Sequence, residues 1–162
     1  MLIGAGGHAS VLTDIIFEND WHILAVVDPN YEEQKEIFDG IRVLSDEFSI
    51  HDFPPNLYSL VNGIGMIPFK NKRQELAKHF RAKGYHFETI ISQCSVVSKY
   101  AKILDGAQIL KKTIINAGAV IGEDAIINTA AVVEHDSSIG RGAHVAPNAV
   151  ICGGAVVGKG AF

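Results

Sequence analysis

Residues 91–162 read ISQCSV VSKYAK ILDGAQ ILKKTI INAGAV IGEDAI INTAAV VEHDSS IGRGAH VAPNAV ICGGAV VGKGAF, twelve blocks of six without an insertion. The first residue of every block, from Ile91 and Val97 to Ile151 and Val157, is a β-branched aliphatic. The fifth, from Ser95 and Ala101 to Ala155 and Ala161, is always small. A six-residue strand and turn cannot bury its apolar side alone, but coils stacked about 4.8 Å apart line identical side chains into continuous ladders. The branched residue suits a buried pleated position, and the small one lets the chain bend. Three blocks per coil give a triangular cross-section, an 18-residue period and four coils. The expected fold of this half is a parallel β-helix.

The preceding residues, 1–90, carry a different pattern. Met1 to Ile3 is a short apolar run, followed by Gly4-Ala5-Gly6-Gly7-His8-Ala9 and a helical pattern with Val11, Leu12, Ile15 and Ile16 on one face. A second strand, Ile23 to Val27, ends at the turn Asp28-Pro29. Downstream come a strand-like run from Ile37 to Leu44 broken at Gly40, an N-cap at Ser45-Asp46, a buried strand from Leu57 to Val61, and Asn62-Gly63-Ile64-Gly65. A helix is expected over Asn71 to Lys83 with Gly84 after its end, and a last strand over Tyr85 to Ile90. Repeated strand–helix–strand units imply a small Rossmann-like parallel sheet domain over 1–90 and a β-helix over 91–162.

Gly4, Gly6 and Ala9 satisfy G-x-G-x-x-G/A, and Asp28 stands about where a ribose-binding acid would. An oxidoreductase using a nicotinamide cofactor is therefore one reading. Three features weigh against it: no downstream hydride-transfer domain, too few residues for two mononucleotide halves, and a His in the phosphate loop.

The 162 residues are 48% apolar and 20% charged, as a globular protein should be, and the formal net charge of −4 provides no basic field for nucleic acid. No signal peptide or membrane-spanning run is read, so a cytoplasmic protein without membrane insertion is expected. Cys94 and Cys152 form no metal or redox pattern and read as reduced thiols. His22, His51, His79 and His86 read as surface or packing residues.

With GAGGHA at the start, this order of sheet elements, and hexapeptide blocks carrying Asn128-Thr129 and Val133-Glu134-His135-Asp136, the chain resembles the sugar O-/N-acyltransferases with hexapeptide repeats. These include sialic acid O-acetyltransferases and UDP-4-amino-sugar N-acetyltransferases. The resemblance implies a left-handed β-helix, a homotrimer, acetyl-CoA as co-substrate without a metal, and a nucleotide-sugar substrate held by the sheet domain. It implies that His135 is the catalytic base with Asp136 as its acidic neighbour, that His144 lies beside the acetyl group, and that Gly153 donates a backbone N–H to the thioester carbonyl. Gly6, Gly7, His8, Asp28, Gly63 and Gly65 are the implied sugar-nucleotide contacts. Similar chains run on for several coils past the point matching Phe162, so truncation at the C-terminus is expected.

The spacing carries chemistry of its own. Acyl transfer to an amine or hydroxyl needs a base and a donor for the developing oxyanion. Either Glu134 or Asp136 could fix the His135 tautomer and leave the other ring nitrogen as base. Gly153, 18 residues on, falls one coil above His135 with no side chain to block it. His144, nine residues after His135, falls on another side of the prism, so a site using both must lie between subunits. The leading expectation is an acetyl-CoA-dependent acyltransferase acting on a nucleotide-linked amino sugar. The alternatives are O-acetylation of a sialic acid or other sugar, and a truncated nucleotide-binding trimer without activity.

Overall fold

The computed structural model describes residues 1–32 and 35–162, with no account of the side chains of Glu47, Phe48 and His51. The expectation for His51 therefore lies outside the described residues. The chain forms two compact units, Met1–Glu88 and Thr89–Phe162. No helix among the described residues is long and apolar enough to cross a membrane.

The first unit is a four-stranded parallel sheet of β1 (Leu2–Ile3), β2 (Ala25–Val27), β3 (Arg42–Leu44) and β4 (Val61–Asn62), in the order β3-β2-β1-β4. Helix α1 (Gly7–Glu18) connects β1 to β2, and α2 (Lys72–Ala82) follows β4. Helix α1 buries Ala9, Leu12, Thr13, Ile15 and Ile16, whereas Val11, expected on that face, is 38% exposed. Helix α2 closes with Gly84 at φ +89° and the Tyr85 N–H bonded to Phe80 O at 3.1 Å, the six-to-one bond that satisfies a last-turn carbonyl. The strands are shorter than the apolar runs predict. The run 37–44 splits into a 3-10 helix at Glu36–Phe38 and β3, because Gly40 takes φ +77°. Tyr85 to Ile90 is not a strand: only Phe87 makes an isolated parallel bridge to Leu60, and Tyr85 turns inward to donate to Ile50 O and Phe53 O.

The second unit is a left-handed parallel β-helix of two-residue strands: β5 (Ile90–Ile91), β6 (Val96–Val97), β7 (Lys102–Ile103), β8 (Gln108–Ile109), β9 (Ile114–Ile115), β10 (Val120–Ile121), β11 (Ile126–Ile127), β12 (Val132–Val133), β13 (Ser138–Ile139), β14 (His144–Val145), β15 (Val150–Ile151) and β16 (Val156–Val157). Every third strand pairs in parallel, giving sheets β5-β8-β11-β14, β6-β9-β12-β15 and β7-β10-β13-β16. Ile115, Val133 and Ile151 stand in register, as do Ile121 and Ile139. The core holds first- and fifth-position residues only, among them Ile115, Ala119, Ile121, Ala125, Ile127, Ala131 and Val133, all 1% exposed or less.

The corners obey a rule of their own. In ten successive blocks the fourth residue takes a left-handed φ: Gly106, Lys112, Gly118, Asp124, Ala130, Asp136, Gly142, Asn148, Gly154 and Gly160. From Asp124 onward its N–H bonds to the third-position carbonyl of the coil before, as Asp136 does to Ala117 O at 3.0 Å and Gly154 to His135 O at 2.9 Å. The left-handed turn costs a non-glycine residue about 1 kcal/mol, which this inter-coil bond offsets.

Candidate active site

His135 and Asp136 are the third and fourth residues of their block, at the corner between β12 and β13. The left-handed φ of Asp136, +59°, swings its side chain alongside the ring before it, and Asp136 Oδ2 stands 2.9 Å from His135 Nδ1. A hydrogen bond there puts the proton on Nδ1 and leaves Nε2 with its lone pair outward. Both side chains are open to solvent, at 66% and 74% exposure. The Asp136 bond and charge, with a smaller contribution from Glu134, raise the His135 pKa above the usual imidazole value, against a slight opposing effect of burial. Of the two acids left open by the spacing, Asp136 therefore holds the ring. Glu134 Oε2 instead accepts from Asn116 Nδ2 at 2.9 Å, one coil below.

Gly153 lies directly over the ring. A Cβ built on it would come 2.6 Å from His135 Nε2, so only glycine leaves that nitrogen approachable. The Gly153 N–H has no hydrogen-bond partner among the described residues and is open to an oxygen acceptor. His144 stands elsewhere, at the head of β14, on the sheet opposite the His135 corner. Its Nε2 is 2.9 Å from Asn128 Nδ2, and its ring meets Phe162 edge-on at 4.8 Å. Within one chain His135 and His144 are thus not brought together. Asn128 also caps its own turn, accepting from Thr129 N–H.

In the first unit the remaining predicted residues gather at the carboxyl ends of the strands, where open α/β sheets bind ligands. Gly6 and Asp28 line a cavity of about 240 Å³ with Ala5, Asn30, Tyr31 and Lys35. Asp28 spends both oxygens on the backbone, Oδ2 on Ala5 N–H at 2.8 Å and Oδ1 on Asn30 N–H at 2.9 Å, so it ties the first two strand-end loops together. Gly7 opens α1, whose positive end faces outward here, and nothing lies within 4 Å of a Cβ built on Gly6 or Gly7. His8 is in the first turn, and a Cβ on Gly65 would sit 3.3 Å from His8 Cβ. Gly63 serves packing: its Cβ would strike Ile3 O at 2.7 Å. Arg73, 2% exposed, pins this loop from beneath by donating to Asn62 O at 2.9 Å and Ile64 O at 2.7 Å.

Comparison with known proteins follows the same division. Residues 1–80 match the PglD N-terminal domain, and residues 118–153 match the bacterial transferase hexapeptide (six repeats). A solved variant of perosamine N-acetyltransferase from Caulobacter crescentus, in complex with CoA and GDP-perosamine, is 26% identical with a TM-score of 0.72, over 98% of this chain and 85% of that one. In both of its units the chain is similar to the hexapeptide-repeat sugar acyltransferases. Two further solved structures share the fold at lower identity. The acetyltransferase domain of PglB from Neisseria gonorrhoeae FA1090, in complex with acetyl coenzyme A, has a TM-score of 0.75 at 23% identity over 98% of this chain and 84% of that one. WeeI from Acinetobacter baumannii AYE has a TM-score of 0.59 at 17% identity over 98% and 88%. No curated protein matches the chain by sequence.

The sequence reading missed Gly118, Asn116, Lys35 and Arg73. The first two were findable, since they stand 18 residues before Asp136 and Glu134 and so one coil beneath them. Lys35, whose Nζ donates to Ala5 O at 3.0 Å, and the buried Arg73 depend on loop paths that no periodicity encodes.

Proposed function

We propose that this protein transfers the acetyl group of acetyl-CoA to the amino group of a nucleotide-linked sugar in bacterial glycan synthesis. The observation that carries this reading is the His135 ring, held at Nδ1 by Asp136 and bare at Nε2 beneath Gly153. The neutral amine attacks the thioester carbonyl carbon while His135 Nε2 takes its proton, so a C–N bond forms as the C–S bond breaks. The Gly153 N–H donates to the carbonyl oxygen as it gains charge. CoA leaves as a thiolate and recovers the proton from the imidazolium, which returns the base to its starting state. The sugar's nucleotide is bound in the first unit by the Gly6-Gly7-His8 turn, the Asp28 cavity and the Gly63–Gly65 loop.

The working form is a cytoplasmic homotrimer. His144 and His135 lie on different sides of the prism, so both reach one acetyl group only when neighbouring subunits supply one each. A row of outward aliphatic residues on the sheet β6-β9-β12-β15, with Val96 64%, Ile114 38% and Val150 62% exposed, runs beside the His135 corner and suits burial against another subunit.

The test is release of CoA thiol from acetyl-CoA with a panel of UDP- and GDP-linked amino sugars and their hydroxyl counterparts. Release that requires one amino sugar and falls by about 10² or more in His135→Ala is expected. Release with the hydroxyl sugars alone, with none of the panel, or undiminished in His135→Ala would refute the proposal.

A further inference from the structure

At the His135 corner the fourth-position column runs through Tyr100, Gly118, Asp136 and Gly154, one residue per coil. Gly118 is the residue directly beneath Asp136. A Cβ built on it would overlap Asp136 Oδ1 and lie 3.3 Å from the carboxyl carbon and 3.4 Å from the Asp136 nitrogen. Its φ of +77° does not by itself demand glycine, because Lys112 and Ala130 hold φ +60° and +58° at the same place in their blocks. What no other residue offers at 118 is room. The Asp136 carboxylate lies down over the bare Cα of Gly118 and from there reaches His135 Nδ1 at 2.9 Å. The pair is bracketed by glycines of adjacent coils: Gly118 below the carboxylate, Gly153 above the ring.

We propose that Gly118 is a positioning residue: its bare Cα is the seat of the Asp136 carboxylate, and by seating it there fixes the tautomer and orientation of the His135 ring. The value of this role for turnover rests on the reading of His135 as base, but the geometry is testable without turnover. Few charges complicate that test. His135 is faced by Asp136 and Glu134 from its own turn. The coil below supplies uncharged Asn116, Ala117 and Gly118, and the coil above supplies Cys152, Gly153 and Gly154, of which only the thiol titrates. Displacing the carboxylate therefore removes the main cause of the raised His135 pKa.

The experiment is an NMR titration of the His135 Cε1–H resonance, assigned by its loss in His135→Ala, in the wild type, Gly118→Ala, Asp136→Asn and the double variant. Gly160→Ala is the control, having the same block position, φ +66° and nothing within 4 Å of its Cβ. Gly118→Asn is the second variant, because asparagine tolerates the left-handed region while still carrying the intruding Cβ. Gly118→Ala or Gly118→Asn should bring the His135 pKa down to the value measured in Asp136→Asn. The double variant should show no further fall, and Gly160→Ala should leave the pKa unchanged. A wild-type pKa in folded Gly118→Asn, or an equal fall in Gly160→Ala, overturns the proposal. If the pKa falls as expected while turnover is unaffected, the seat stands and it is the assignment of His135 as base that fails.

Discussion

Replacing Gly153 by alanine adds one methyl group where the structure has least space for it. The new Cβ would fall 2.6 Å from His135 Nε2, 2.8 Å from Cε1 and 3.1 Å from Cδ2. An ordinary contact needs about 3.5 Å, so the imidazole must retreat by about 0.9 Å or tilt away from Asp136. Either motion spoils the 2.9 Å bond at Nδ1 or turns Nε2 from the amine. A displacement of about 1 Å at a reacting centre costs about 10² in rate, or about 2.7 kcal/mol of barrier. The backbone should not object, since Gly153 is outside the left-handed region and alanine there reduces only the freedom of the unfolded chain, by about 0.4–1 kcal/mol. Gly153→Ala should therefore lose about 10² in kcat, with the thermal midpoint within a few degrees of wild type and KM for the sugar nucleotide unchanged. Gly158→Ala, with nothing within 4 Å of its Cβ, should change neither. Thiol release at saturating substrates and thermal unfolding by circular dichroism read the two quantities. A kcat within twofold of wild type in Gly153→Ala would refute the stacking of this glycine over a catalytic nitrogen.

With His135 as the proposed base, Asp136→Asn should move the acidic limb of the pH–rate profile downward, since a base acts once deprotonated and this pKa is held up mainly by that carboxylate. The sign for stability is opposite in range: a raised histidine pKa stabilises the fold below the unfolded value near 6.5 and the gain is lost as pH rises through the folded pKa. Asp136→Asn should thus lower the melting temperature at pH 5.5 more than at pH 8.5, and an equal effect at both would contradict the pairing. Ile121→Ala, at a site 0% exposed in the β-helix core, should cost about 3 kcal/mol in denaturant unfolding. A cost below about 1 kcal/mol would mean that the coil interior is not packed as described. Arg73→Met should strip two loop carbonyls of their donor, destabilising the first unit by about 3 kcal/mol and raising KM for the nucleotide sugar with kcat retained. A change in kcat alone would exclude a role in holding the loop.

The β-helix was legible because its core is a strict function of block position: each of the buried residues from Ala107 to Val145 in that core is a first or a fifth residue. The corner geometry was not, because the left-handed turn is taken by Lys112 and Ala130 as readily as by glycine, so composition hides it. His135, Asp136 and Gly153 could be set together by counting 18. Asn128 and His144 could not, since they meet at an offset of 16, crossing from the second position of one coil to the sixth of the next. In the sheet unit the apolar runs foretold the order of elements but overstated strand length, as Tyr85 and Gly40 show. Asp28 illustrates a further limit: its place in the fingerprint suggests a sugar hydroxyl, whereas both of its oxygens serve backbone amides.

Strict repetition also governs how such an enzyme can change its length. Loss or gain of one residue in a block would slip every later side chain from the inside of the prism to the outside. A gain of six would keep the interior but turn everything downstream by a third of a revolution, so that one placed between Gly118 and His135 would part Asp136 from its seat. Only steps of 18 leave each column intact, shifting the later coils by about 4.8 Å along the axis. Evolution within this fold is therefore free in spelling and quantised in length, and the natural unit of insertion is a whole coil.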